Sequence, residues 1–248
     1  MKLKIYNRVS VFCGVACVLI WVTISLMNPS LKVFCSDEIH AWNIATYFNL
    51  IEIIRLMNAE GHSFVWFYVI KPLTYFDNLF LMKVVNWLFA CAAIIFMWIK
   101  APFNVTNKVL ISFSYPFLLL YPAIARCYSI GIFFLFLLCS LYNNRLKHPC
   151  LYSILIFIAA NTSLMAAIPA LILGFMFGCE LIKRKIVKPA LILILAPISL
   201  LIQWLHPIIP DYGIYYIFSE RVADFLNEFK KQSQHYRRKC SKLEHKRR

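Results

Sequence analysis

The acidic pair Asp37-Glu38 is the part of the sequence best suited to chemistry. It follows an apolar run that ends near Met27, and His62 lies at the end of the next polar connection. Charged side chains are costly close to hydrocarbon, so carboxylates at the edge of a membrane span require a reason. We interpret Asp37 as the centre of a membrane-embedded active site. The alternative is that Ser36 and Asp37 cap a helix whose dipole favours both carboxylates.

The composition places this pair in a membrane protein. Of the 248 residues, 61% are apolar and 15% are charged, whereas a soluble domain is about half apolar and about a quarter charged. Runs of about twenty apolar residues are long enough to cross a bilayer. Because lipid cannot satisfy free backbone groups, we predict an all-α, polytopic transmembrane helical bundle of about seven or eight spans.

The net charge of +15 indicates lipid rather than nucleic acid as the partner. Lys and Arg lie at the N-terminus, in short loops and in the tail, which is the pattern of cytoplasmic loops facing anionic headgroups. We therefore predict a multi-pass protein of the inner or plasma membrane with a cytoplasmic N-terminus. Most cysteines lie in apolar runs without zinc spacing, so we expect buried thiols, no metal site and no cofactor.

The chain divides into a transmembrane domain, 1–218, and a basic tail, 219–248, at the membrane surface or in the cytoplasm. An external loop, 28–62, contains apolar residues at helical spacing and is expected to form amphipathic interfacial helices. Residues 63–77 form an apolar segment that is short for a span. Residues 150–182 are predicted to form two short helices with a hinge at Asn161 and Pro169. The remaining apolar segments are 79–99, 109–123, 130–142 and 189–205.

Charge placement predicts which residues share a face. If the basic loops are cytoplasmic, Arg126 lies on the opposite face. The first span carries Asp37 and His62 to that same outer face, provided that 63–77 makes no full crossing of its own. We therefore expect Asp37, His62 and Arg126 to lie together.

The order of these motifs resembles a known family. Asp37-Glu38 follows the first span, Gly61-His62-Ser63-Phe64 follows the loop, and Arg126-Cys127-Tyr128 precedes a later span. Together they resemble the N-terminal half of GT-C membrane glycosyltransferases, similar to protein O-mannosyltransferases and the aminoarabinose transferases of lipid A. The resemblance covers residues 5–145. It departs from the family in lacking the proline pair after the histidine.

The resemblance implies transfer of a sugar from a polyprenyl-phosphate donor to a lipid, glycan or protein acceptor of the cell envelope. Asp37 would be the general base for the acceptor hydroxyl, and Glu38 would orient the site. Arg126 would pair with the departing phosphate, and positioning with charge stabilisation would suffice without a metal. The other substrate-binding residues implied are His62, Lys71 and Tyr128.

Each assignment has a structural alternative. Arg126 and Lys71 could extend their charged ends to the interface from apolar segments, and His62 beside a glycine could be a turn residue. At the level of function, the alternatives are a transporter or flippase of lipid-linked sugars and a non-catalytic membrane subunit. The second is favoured by length, because related enzymes are usually longer.

Overall fold

The computed structural model describes residues 2–60 and 62–205, and in this part of the chain every regular element is helical, which confirms the all-α class. The predicted boundary at 218 and the tail 219–248 lie outside the described residues. Short 3-10 helices at Pro29–Lys32, Lys71–Phe76 and Tyr142–Asn144, and a π-helical turn at Pro116–Leu120, join the α-helices. The α-helices are α1 Lys2–Met27, α2 Ser36–Tyr47, α3 Leu50–Glu60, α4 Val65–Ile70, α5 Phe80–Lys100, α6 Val105–Ser112, α7 Tyr121–Ala123, α8 Cys127–Leu141, α9 Pro149–Ala160, α10 Leu164–Lys183 and α11 Val187–Leu205.

Three helical stretches of the described chain are long and apolar enough to cross a membrane: α5, α10 and Cys127–Asn144. A fourth is added if Val11–Met27 and Pro29–Tyr47, which are bent by 52°, form one broken span. Helices α9 and α11 are apolar but shorter. These lengths support an integral membrane protein.

The helices of the first half alternate in direction. The ring of Trp98, near the end of α5, lies against Gly14 of α1. Trp87, closer to the start of α5, donates from its indole N–H to Ser25 Oγ at 3.0 Å, near the end of α1. Helix α1 is therefore antiparallel to α5. The broken segment 105–123 is antiparallel to α5 for the same reason, since Lys108 near its start contacts Trp98 near the end of α5, and Tyr121 near its end contacts Asn86 near the start.

The second half continues the alternation. Arg145, just after α8, pairs at 2.8 Å with Glu180 near the end of α10, so α8 and α10 end together. Helix α9 returns between them, and α11 brings Gln203 back to Asn161 at the end of α9. A core of buried side chains joins these four helices, including Tyr152, which packs edge-on against Phe177.

The two ends of this bundle differ in charge. One end, which we call the site end, contains the starts of α5, α8 and α10 together with residues 35–38 and 62–64. The opposite end contains the basic residues Lys100, Arg145, Lys183 and Arg184. The structure thus groups Asp37, His62 and Arg126 at one end, away from these basic residues, as the charge pattern predicts.

The connection after α1 contains two helices, α2 and α3, but only α3 separates apolar from polar residues as an amphipathic helix does. Residues 63–77 form only the six-residue α4 and a short 3-10 helix. Six α-helical residues and six 3-10 residues together extend about 21 Å, which is less than the ~30 Å of a bilayer core, and the segment is not among the candidate spans of the described chain. This is the condition under which Asp37, His62 and Arg126 were expected to share a face.

The break between α9 and α10 is held by buried polar side chains. Asn161 Oδ1 accepts a hydrogen bond from Gln203 Nε2 at 2.8 Å, and Asn161 Nδ2 donates to Ser199 Oγ at 2.9 Å. Ser163 caps α10 by accepting from the N–H of Ala166 at 3.2 Å. The predicted hinge at Asn161 is confirmed, but Pro169 lies inside α10, which is a full 20-residue helix. The chain breaks where side chains can cap the new helix start.

Helix α8 approaches this break very closely at Gly131. A Cβ added there would lie 3.0 Å from Thr162 Oγ1 and 3.2 Å from Ala166 Cβ, so Gly131→Ala forces the two segments apart. We expect a loss of about 1–3 kcal/mol of stability from this overpacking, measured by thermal or denaturant unfolding in detergent.

Gly178→Ala is the matched control. Its added Cβ would meet only the end of the Leu193 side chain, at 3.2 Å. This variant should gain up to about 1 kcal/mol from helix propensity. Equal effects of the two substitutions would contradict the close approach at Gly131.

Candidate functional site

The two carboxylates of the acidic pair face different surroundings. Both lie in the first turn of α2, where consecutive side chains are about 100° apart around the axis. The Asp37 side chain is 61% exposed, whereas that of Glu38 is 1% exposed. Glu38 Oε2 accepts a hydrogen bond from the N–H of Cys35 at 2.9 Å, which closes the start of the helix. The N-cap residue is Cys35, so Ser36 and Asp37 do not cap α2 as the alternative interpretation expected, and Glu38 takes that role.

Glu38 also forms a buried ion pair with Lys83 of α5. The Lys83 ammonium lies 2.6 Å from Glu38 Oε1, and its side chain is 2% exposed. The same ammonium donates to the carbonyl of Ala123 at 2.6 Å, while Glu38 Oε1 accepts from the N–H of Ala125 at 2.5 Å. The pair therefore binds the backbone on both sides of Ile124 and fixes the turn that leads into Arg126.

Helix α5 supplies a second polar side chain to this turn. Asn86, one helical turn after Lys83, donates to the carbonyls of Tyr121 and Pro122 at 2.8 and 3.2 Å. These carbonyls belong to the broken segment between α6 and α8, which has no continuous helix to satisfy them. Sequence reasoning missed Lys83 and Asn86. The available signal was a lysine and an asparagine three residues apart inside an apolar span.

Arg126 is the residue that this turn presents at the site end. It precedes α8 in an extended conformation, and its backbone N–H donates to Ile124 at 2.8 Å. Its guanidinium pairs with the Asp37 carboxylate, with the Arg126 side chain 16% exposed. Asp37 also lies 3.4 Å from the Ser36 hydroxyl. The site thus presents one accessible carboxylate beside one guanidinium held on a fixed backbone.

His62 and Tyr128 adjoin this pair. His62 Nδ1 lies 3.6 Å from the sulfur of Cys127, the residue that follows Arg126. The His62 ring also meets Tyr128 edge-on, with ring centroids 6.3 Å apart. Four of the predicted site residues, Asp37, Arg126, His62 and Tyr128, therefore surround the start of α8.

Lys71 lies elsewhere. Its ammonium donates to the carbonyls of Ala45 and Phe48, at 2.8 and 2.7 Å, and so closes the C-terminal end of α2, about 12 Å along the helix from Asp37. Burial lowers the pKa of Lys71, and the Glu52 carboxylate acts in the opposite direction. The structure therefore assigns Lys71 to the helix end and does not place it beside Arg126.

No protein-family model, curated protein or solved structure matches the chain. Within the described residues, no group of three or more His, Cys, Asp or Glu side chains could hold a metal ion. What the site can do therefore follows from its own side chains. Asp37 can accept a proton, and Arg126 can bind an anion such as a phosphate.

The buried pair predicts a strong coupling between Lys83 and Glu38. Lys83→Met leaves a carboxylate buried without its cation, which should cost about 3–5 kcal/mol of unfolding free energy. Glu38→Gln should also destabilise the protein. The double variant should lose less than the sum of the two, with a coupling of about 0.5–3 kcal/mol.

Unfolding of the detergent-solubilised variants would measure this coupling. Lys100→Met, at the other end of α5, serves as the control for losing a lysine and should change stability by no more than about 0.5 kcal/mol. Strict additivity of the two single effects would show that Lys83 and Glu38 do not act as a pair.

Proposed function

We propose that this protein is a membrane glycosyltransferase of the GT-C type. It moves a sugar from a polyprenyl-phosphate donor to an acceptor hydroxyl at the outer face of the membrane. The observation that carries the proposal is the contact between the exposed Asp37 carboxylate and the guanidinium of Arg126, which is positioned by the buried Lys83–Glu38 pair. A base and a phosphate-binding cation are the two groups that this reaction needs side by side.

The reaction balances with these two side chains. The acceptor oxygen forms a bond to the anomeric carbon of the sugar, and its proton passes to Asp37. The bond between that carbon and the phosphate oxygen breaks, and its electron pair stays on the phosphate. Arg126 binds the phosphate oxygens with its planar fork of N–H donors. Glu38 contacts no substrate in this scheme and acts as a positioning residue for Arg126.

The pairing of Asp37 with Arg126 describes the enzyme before the donor binds. The Asp37 carboxylate is exposed, and an incoming phosphate supplies Arg126 with a new anionic partner as the carboxylate leaves, so the guanidinium does not lose its counter-charge. Replacement leaves Asp37 available to accept a proton. His62, which contacts the residue after Arg126, and Tyr128, which lies beside it, are proposed to complete the phosphate site.

The arrangement of the helices supports an outward-facing site. The start of α1 and the basic loops share the end of the bundle opposite Asp37, and basic loops remain in the cytoplasm. The proposal takes the N-terminus to be cytoplasmic. It adds α1, the broken segment 105–123 and the shorter helices α9 and α11 to the three helices that are long enough to cross, and so retains the topology of about seven spans expected from the sequence.

Asp37→Asn tests the proposed base. We expect it to lower the transfer rate by about 10²–10⁴-fold, because general base catalysis contributes that much. Purified protein in liposomes would receive radiolabelled polyprenyl-phosphate sugars and a membrane-lipid extract, and the labelled product would be quantified. Asp77→Asn, which removes another exposed carboxylate of the described chain, should leave the rate unchanged.

Three outcomes of this experiment would contradict different parts of the proposal. Equal turnover by wild type and Asp37→Asn would retain the enzyme and exclude Asp37 as its base. Absence of turnover by folded wild type with every donor would overturn the proposal in favour of a non-catalytic subunit. Movement of the labelled donor between leaflets without a new glycosidic bond would instead indicate a flippase.

Arg126→Lys tests the phosphate contact. The lysine keeps the charge but loses the two parallel N–H donors, so both donor affinity and the transfer rate should fall. A fall in the rate with an unchanged KM for the donor would mean that Arg126 acts only in the transition state. An unchanged rate and KM would exclude Arg126 as the phosphate-binding residue.

A further inference from the structure

A cavity of about 100 Å³ lies beside the site, between α3, α10 and α11. His62 lines it and also contacts Cys127, so the cavity adjoins the position of Arg126. Most of its wall is apolar, and its inner wall carries the polar side chains of Ser63, Ser163 and Gln203. The apolar lining residues are Met57, Ala160, Leu164, Ala167, Ile168, Leu171 and Leu200.

The outer rim of the cavity belongs to a membrane-spanning helix. Leu164 and Ile168 of α10 are 53% and 56% exposed, whereas Ala160, Ala167 and Gln203 on the inner side are buried. Because α10 is a candidate span, exposed apolar side chains on it face hydrocarbon. The molecules that can enter between them are therefore membrane lipids.

The polar wall of the cavity can accept a hydrogen bond from a ligand. The Ser63 hydroxyl lies 2.8 Å from Gln203 Oε1 and 3.1 Å from Asn161 Oδ1, but a hydroxyl has a single proton. Asn161 Oδ1 already accepts from Gln203 Nε2 at 2.8 Å, so the Ser63 proton goes to Gln203 Oε1. The lone pairs of Ser63 Oγ are then left to accept from an O–H or N–H group in the cavity.

We infer that this cavity binds the acceptor, and that the acceptor is a membrane lipid with a free hydroxyl and a straight hydrocarbon chain. The chain enters past Ile168 and lies on the apolar wall, while the hydroxyl donates to Ser63 before it reaches Asp37. This inference rests on the proposed function, since it names the acceptor class for the same site. It excludes a soluble glycan as the acceptor.

Size and charge favour the acceptor over the donor lipid as the occupant. A polyprenyl chain carries a methyl branch in every isoprene unit, and a cavity of about 100 Å³ accommodates only a short, narrow stretch of hydrocarbon. Ser63, Ser163 and Gln203 on its inner wall are neutral, and Arg126, which the donor phosphate requires, does not line the cavity. His62 is the lining residue that the cavity shares with the proposed phosphate site. The two lipids would thus approach the start of α8 from different sides.

Photolabelling tests the cavity without requiring turnover. The full chain in phosphatidylcholine vesicles would receive a diacylglycerol with a free hydroxyl and a diazirine in one straight acyl chain. After irradiation and proteolysis, mass spectrometry would quantify labelled residues in α10. Ile168→Trp should block the entrance and reduce labelling by about tenfold, since about two methylene groups of the probe lose their burial.

Ile172→Trp is the matched control, because Ile172 is equally exposed one turn further along α10 but does not line the cavity. The Ile172→Trp variant should be labelled to the same extent as the wild-type protein. Unlabelled diacylglycerol should displace the probe, whereas its methyl ether and polyprenyl phosphate should not. Ser63→Ala should retain labelling but lose the preference for the alcohol over the ether.

Three results would overturn the inference. Unchanged labelling of Ile168→Trp would mean that the probe binds only the outer surface of α10. Equal displacement by the alcohol and the ether in wild type would exclude recognition of a hydroxyl. Displacement by polyprenyl phosphate alone would make the cavity part of the donor site. Specific labelling without any sugar transfer would instead retain the lipid site and refute the glycosyltransferase.

Discussion

The buried pair of Lys83 and Glu38 is the interaction on which the site depends. Removing two charges from water is expensive, and their mutual attraction repays the cost only when further hydrogen bonds are made. Both partners make such bonds here, to Ala123 and Ala125. The charge pair is therefore inseparable from the backbone turn it holds, and that turn sets the position of Arg126.

The same physical constraint explains the polar side chains that lie at the two helix breaks of the site end. Hydrocarbon offers no hydrogen bonds, so each break in a helix needs protein groups to satisfy its backbone. The break before α8 uses Lys83 and Asn86, and the break before α10 uses Asn161 and Ser163. Both breaks lie at the site end, where irregular backbone and polar side chains can also bind a substrate.

Sequence patterns predicted the elements better than the contacts between them. Helix α5, the amphipathic helix α3 and the hinge at Asn161 follow from local periodicity and helix breakers. The meeting of Asp37, His62 and Arg126 followed from charge placement. The role of Lys71 was not predictable in this way, because a lysine in an apolar stretch does not reveal which carbonyl groups it reaches. Lys83 was overlooked because its partners lie 45 and 40 residues away in the chain.

Asp37 and Glu38 are neighbouring carboxylates in one turn of helix, but one is exposed and the other is buried. The Glu38 carboxylate and the Lys83 ammonium are buried and hydrogen-bonded to the backbone. Glu38 therefore cannot change its partner without disrupting the turn. The Asp37 carboxylate is open to solvent, so it can exchange its partner more easily than Glu38 can. The proposed function requires such a pair, since the resting partner of Arg126 must leave when the donor phosphate arrives. The buried pair would hold the turn while that exchange takes place.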